Sequence, residues 1–307
     1  MSSEKLGHNN NVLKGDLGGG FDILTGSTGE QTDLGVARRF GGAAAAYSLR
    51  DIGAMNGRVV RVRRDTGGGA GDNDEEDFSA SQVASGALES FVGAGNNGFI
   101  TLWYDQSGND HDAYQSSASS QPKIVNNGTI ELSPSNQPAL RFISPTKLSV
   151  PVNGHIDNLN SVSFFVVGEY ETASIPPQYF LNLTNFSQIP QAVGVGSSPS
   201  YSGYTNFSYG SFGNQSTSHT PSVNQNILYS AVTDSSDFEG FADGSSILTT
   251  SVIDRAVTQD GSIGAWATGT YHLNGTISEV IIFGVGKADD RADIEENIAN
   301  HYNITLS

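Results

Sequence analysis

The chain has 307 residues, no cysteine and a formal net charge of −17. Its length admits one large domain or two small ones, and the absence of cysteine excludes a disulfide framework and a thiolate metal site. The acidic balance argues against a nucleic-acid partner, since phosphate neutralisation needs a cationic surface. No apolar run approaches the ~18 residues that span a bilayer, so no membrane partner is expected. With 36% hydrophobic residues and 37 glycines, the composition is that of many short strands joined by turn-rich connections.

Residues 1–42 read as an arm. They are rich in Gly, Asn and Asp, and Leu13, Leu17, Phe21, Ile23 and Leu24 follow no sustained period. Such a segment buries too little to offset its ordering entropy alone, whereas Phe21–Leu24 has the form of a short strand added to a neighbouring subunit. The start lacks a charged region followed by an apolar one, so no secretory signal is expected. Asn-x-Ser/Thr triplets such as Asn127-Gly128-Thr129 then follow from composition and not from glycan attachment.

A single domain is expected over 43–307. Ala43–Arg50 has helix-forming composition, with Tyr47 and Leu49 as packing groups. Asn56-Gly57 marks a turn, and Arg58–Arg64 alternates strictly as an edge or half-buried strand. The acidic run Asp72–Asp77 follows closely, so mutual neutralisation explains both charge clusters. Calcium at 72–77 would need ~6–8 suitably arranged oxygens and stays open.

Gly98–Trp103 reads as a strand running into the polar corner Tyr104-Asp105-Gln106-Ser107-Gly108-Asn109-Asp110-His111. Asp105, Gln106 and Asn109 are candidates for gripping a sugar or a cation, but local bonds that cap turn amides while Tyr104 packs are what such residues more commonly make. His111 has no second His at ligand spacing, so no metal is expected. Short strands are expected at Pro122–Val125 and Pro138–Phe142. The nearly continuous apolar run Ser161–Tyr170 belongs in the middle of a sheet.

Residues 171–226 are polar with aromatic beads. Tyr201, Tyr204, Phe207, Tyr209 and Phe212 among Ser, Gly, Asn and Thr have the vocabulary of recognition loops, or of strands with inward aromatics. Further strands are expected at Ile227–Thr233, at Phe238–Ala242 ending on the hairpin dipeptide Asp243-Gly244, at Ser262–Ala267 and at Gly275–Phe283. A helix follows, capped by Asp289 or Asp290, with Ile294, Ile298 and Tyr302 on one stripe. It is expected to cover an open end or edge of the sheets.

The segments Ala46–Arg50, Val60–Asp65, Phe99–Gly108 and Gly275–Phe283, in this order, resemble a concanavalin A-like jelly roll. They are similar to the B-type α-L-arabinofuranosidase catalytic domain and to laminin G-like modules of bacteriophage tail and surface proteins. The resemblance implies a jelly-roll sandwich over about residues 43–304, so that with the arm and the helix read above the expected fold is an all-β jelly-roll sandwich with one C-terminal α-helix and an extended N-terminal arm. In the arabinofuranosidase case it also implies a carboxylate pair, for which Glu239 in Asp237-Phe238-Glu239-Gly240 is the matching nucleophile. The matching acid position falls in Gly264–Gly269, which holds no carboxylate, and one carboxylate cannot both attack and protonate. No Gly-x-Ser-x-Gly elbow, Walker loop or His-Glu-x-x-His is present.

The resulting expectation is a non-catalytic, cofactor-free structural protein of a tailed-phage virion, made in the host cytoplasm. Its arm would hold other virion subunits and its sandwich would serve host-glycan recognition, as tail fibre or capsid decoration. A homo-oligomer is the default for such parts. The alternative is a glycoside hydrolase resembling α-L-arabinofuranosidase.

Overall fold

The computed structural model describes residues 35–307 except 54–56, 152–161, 173–176, 186–190, 198–204, 211–213, 235, 252–259 and 267–268. A one-turn helix α1 (Val36–Arg39) leads into β1 (Ala43–Ser48), β2 (Val60–Asp65) and β3 (Glu75–Phe78). Two short helices, α2 (Ala80–Ala84) and α3 (Ala87–Val92), precede β4 (Asn97–Trp103) and β5 (Ala113–Tyr114). There follow β6 (Lys123–Asn126), β7 (Thr129–Ile130), β8 (Leu140–Phe142), β9 (Leu148–Val150) and β10 (Ser163–Tyr170). Next come β11 (Tyr179–Asn185), β12 (Gln191–Ser197), β13 (Thr205–Gly210), β14 (Asn214–Ser216) and β15 (Ile227–Thr233). The last are β16 (Asp237–Ala242), β17 (Ser245–Ser251), β18 (Gly261–Ile263), β19 (Gly275–Phe283) and α4 (Arg291–Tyr302).

The strands form an antiparallel all-β sandwich. One layer runs β17-β16-β15-β10-β19-β1. The other runs β3-β2-β4-β5-β9-β18-β11-β12-β13-β14. β8 pairs with both β19 and β6, and so joins the layers. Between them lies the main core, where Tyr47, Trp103, Phe164, Phe180, Phe207, Tyr229 and Phe238 are buried. β10 is buried at every position because β15 and β19 flank it, as its apolar run requires. At the β16–β17 turn both Asp243 (φ 47°) and Gly244 (φ 84°) take left-handed backbone, the geometry that makes Asp-Gly a hairpin signal.

Three local expectations change. Ala43–Ser48 is a strand, not a helix: it pairs with β19 from Phe283 to Glu279, and tertiary pairing overrides the alanines' helix propensity. α2 and α3 were not expected, although Ser79 and Gln82 form a reciprocal capping box at the start of α2. α4 covers a sheet face and not an end: Ile294, Ile298 and Tyr302 share a second core with Phe165, Val167, Leu228, Phe241 and Phe283 on the outer side of the first layer. Val36, Ala37 and Ile52 belong to the same core, so the folded body takes in residues before 43.

Under α4 lies a polar knot. The Glu279 carboxylate, 1% exposed, accepts from Ser48 Oγ at 2.8 Å and from Arg50 Nε at 2.8 Å and Nη2 at 2.9 Å. The Tyr302 hydroxyl donates to the same carboxylate at 3.2 Å. A fork-on-fork guanidinium–carboxylate pair is the geometry that compensates desolvation of both ions. Glu279→Ala would strand Arg50 and is expected to lower the unfolding free energy by about 3 kcal/mol or more. Arg39→Ala, at an exposed pair with Asp293 3.5 Å away, is expected to change it by less than about 1 kcal/mol. Urea unfolding of the two variants checks the contrast.

Candidate functional site

The polar corner after β4 is bonded to β1, with Gln106 buried and Asn109 exposed. Asp105 Oδ1 accepts from Ala46 N at 2.8 Å and Ser107 N at 2.9 Å, and Oδ2 from Ser107 Oγ at 2.7 Å and His111 N at 3.1 Å. Gln106 is 1% exposed; it takes Ile52 N at 2.8 Å and donates to Ser48 O at 2.8 Å and Arg50 O at 3.1 Å. Asn109 Nδ2 donates to Ala43 O at 2.8 Å and Ala44 O at 3.2 Å. All three candidates are engaged in holding β1 against the end of β4.

Of the aromatic beads, Phe207 is buried between Phe164, Tyr229 and Phe238 and cannot reach a ligand. Tyr209 lies in β13, opposite Val193. Tyr201, Tyr204 and Phe212 lie outside the described residues. Glu239 sits on β16 between Phe238 and Gly240, whose positions face the main core, the latter against Phe207. Glu239 therefore points to the outer side of the first layer, half-buried, with Thr249 Oγ1 at 3.4 Å. No group of three His, Asp or Glu able to hold a metal occurs among the described residues; Asp72, in the calcium candidate, instead binds Thr66 N at 2.9 Å and Asn73 Nδ2 at 2.9 Å.

The chemistry that the sequence reading missed lies on the outer face of the second layer. Asp77 accepts from Arg61 Nε at 2.7 Å, Arg58 Nη1 at 2.9 Å and the Tyr104 hydroxyl at 2.6 Å. These bonds, the Arg61 one foremost, hold the Asp77 carboxyl well below the ordinary carboxylate range. Burial and the Asp77 charge push the Tyr104 phenol up to about 12. Asp112 behaves in the opposite way: half burial pushes its carboxyl above the ordinary value, and the charges of Asp105 and Asp110 act in the same direction. The Asp105 N–H, 2.9 Å from Oδ1, partly offsets this. Glu75 meets Thr101 Oγ1 at 3.2 Å and makes no ion pair within 4.0 Å among the described residues, although its charge acts on Arg61. Ladder pairing carries the face from Arg61 through Leu102 and Tyr114 to Ser149. Beside it opens a hollow of about 550 Å³ over Phe99. The alternation Val60-Arg61-Val62-Arg63 was the sequence signal that Arg61 and Arg63 share the face opposite the core valines.

No protein-family model matches this sequence, and no curated protein matches it. Solved structures do share its fold. A GH54 α-L-arabinofuranosidase soaked with a cyclic sulfate inhibitor is similar over 86% of this chain at a TM-score of 0.57 and 16% identity. An arabinofuranosidase complexed with arabinofuranosyl-α-1,2-xylobiose is similar over the same share at 0.54. The fold is thus one that glycoside hydrolases use. That finding overturns the expectation of a non-catalytic protein, which rested on a missing acid at one position and took no account of carboxylates elsewhere on the sandwich. The chain spans 64% of the length of these two structures' chains. Nothing in the comparisons bears on virion attachment, and residues 1–34 of the expected arm lie outside the described part.

Two outcomes follow from this geometry. Gln106→Ala leaves the Ile52 N–H and two carbonyls unpaired in the interior, and is expected to cost on the order of 2–3 kcal/mol in urea unfolding. The depressed Asp77 carboxyl stabilises the fold above its ordinary pKa of about 4, and that contribution is lost as pH falls below it. Asp77→Asn should therefore flatten the acid side of the stability profile between about pH 4 and 2. Parallel wild-type and variant profiles would remove Asp77 from the account.

Proposed function

We propose that this domain is a glycoside hydrolase working on the outer face of its second layer. The observation that carries the reading is Asp112, a half-buried carboxyl just before β5, anchored on the Asp105 N–H and held above the ordinary carboxylate value by burial and by the charges of Asp105 and Asp110. A general acid must hold its proton near the operating pH, and burial is the usual means. The Asp105 N–H fixes Oδ1 of Asp112, leaving Oδ2 to carry the proton. As the glycosidic C–O bond breaks, its electron pair stays on the leaving oxygen, which takes that proton. A water oxygen forms the new bond to the anomeric carbon, and the proton it releases restores Asp112. Glu75, which makes no ion pair within 4.0 Å among the described residues, is the candidate second carboxylate. Glu239 is on the outer side of the opposite layer and has no part in this surface. The arabinofuranosidases that share the fold make an α-L-arabinofuranoside the first substrate to test.

Asp112→Asn keeps an acceptor for Asp105 N–H and removes a charge that burial disfavours, so the variant is expected to fold. Its kcat on an arabinofuranosyl-xylo-oligosaccharide should fall at least about 10²-fold, the scale of general-acid catalysis. The loss should be smaller with 4-nitrophenyl arabinofuranoside, whose leaving group needs little protonation. Loss of turnover in Glu239→Gln with Asp112→Asn unaffected would move the site to the other layer. Absence of release from every furanoside and pyranoside tried would overturn the reading.

A further inference from the structure

Arginines across this protein meet carboxylates: Arg50 with Glu279, Arg58 and Arg61 with Asp77, Arg64 with Asp74, Arg141 with Glu171 and Arg291 with Glu295. Arg63 does not. Only 8% exposed, it donates from Nε to Gln121 Oε1 at 2.8 Å and from Nη1 to Asn73 Oδ1 at 3.0 Å, both neutral amide oxygens. Its ladder neighbour Glu75 bonds Thr101 instead. Nη2 has no hydrogen-bond partner among the described residues. Lys123 is the same case: its Nζ meets Asn126 Oδ1 at 3.1 Å and no carboxylate within 4.0 Å among those residues. Both cations approach the Phe99 ring, with Arg63 Cζ 5.1 Å and Lys123 Nζ 5.8 Å from its centroid.

Arg63, Phe99 and Lys123 line the hollow of about 550 Å³ together with the apolar Ile143 and Pro145. Two acids also border it, and both are already engaged: Asp72 binds Thr66 N and Asn73 Nδ2, and Asp65 binds Gly67 N. The Asp72 charge acts on Arg63 through space, yet every hydrogen bond of this nearly buried guanidinium goes to a neutral oxygen, and a buried charge is best compensated by direct contact with an opposite one. Gln121 and Asn73 orient its planar fork without neutralising it. A carboxylate arriving at Nη2 completes a charge-assisted contact that the protein leaves unmade.

We propose that this hollow binds a uronate unit of an acidic saccharide, its carboxylate on Arg63 Nη2 with Lys123 as second cation and its ring against Ile143 and Pro145. The inference rests on the reading that this face engages carbohydrate, and it names an acidic residue in the chain being bound. The measurement is calorimetric titration of the full chain with tri-α-1,4-galacturonate and with its fully methyl-esterified form, which keeps the sugar and removes the charge. The acid trimer is expected to bind at least about tenfold more tightly than the ester, on the scale of a hydrogen bond to a charged group.

Lys123→Gln, at a partly exposed position, is expected to fold and to weaken acid-trimer binding about tenfold while leaving the ester unchanged; Arg63→Gln should weaken it further. Equal binding of acid and ester, or an acid trimer indifferent to Lys123→Gln, overturns the proposal. Inorganic phosphate binding as tightly as the trimer would reduce the hollow to a simple anion site and overturn the saccharide assignment. Binding needs no turnover, so a protein that cleaves no glycoside yet binds trigalacturonate through Lys123 sinks the hydrolase reading and leaves this one standing.

Discussion

The two layers of this sandwich are registered by a few side-chain bonds at the end of β4. Asp105 reaches the backbone of Ala46, and Gln106 those of Ser48, Arg50 and Ile52. Backbone groups leaving an edge strand for a loop have lost their ladder partners, and burying them unpaired is expensive. The corner satisfies them with side chains from the facing layer, so the end of β1 is fixed relative to Trp103 and Tyr104. The position of Asp112 depends on the same arrangement, because its anchor is the Asp105 amide.

Charge is distributed in the same economical way. The basic strand β2 and the acidic residues after it neutralise each other through Asp77 and Asp74, and Glu279 with Arg50 fastens the helix-covered side. These pairs set a background against which Arg63 and Lys123 stand out. A direct ion pair is the rule for the arginines of this surface; a guanidinium hydrogen-bonded only to amides keeps a donor that a ligand carboxylate can take.

The sandwich was legible wherever apolar period and turn chemistry agreed. Ser163–Tyr170, Gly275–Phe283 and the Asp243-Gly244 hairpin all form as their sequences indicate. Ala43–Ser48 was not legible, since its conformation is decided by a partner more than 230 positions away along the chain. The place of α4 was half legible: its apolar stripe was plain, while the face it covers depends on Phe165, Phe241 and Phe283 meeting across three strands. The candidate site was hidden for the same reason. Asp105 and Gln106 stood out as polar residues in a corner and proved to be its fastenings, whereas Asp77 meets Tyr104, and Arg63 meets Gln121, only through ladder register.

The hollow over Phe99 has a kinetic consequence. An acidic ligand far from the surface senses the whole net charge of −17 and is repelled; within a few ångströms it senses Arg63 and Lys123 and is held. Dissolved ions screen the first field over a Debye length of about 8–10 Å at ordinary ionic strength and reach the half-enclosed cations far less. Added salt should therefore speed the encounter while barely hastening departure. The usual sign, in which salt slows the meeting of a ligand with an oppositely charged pocket, would be reversed.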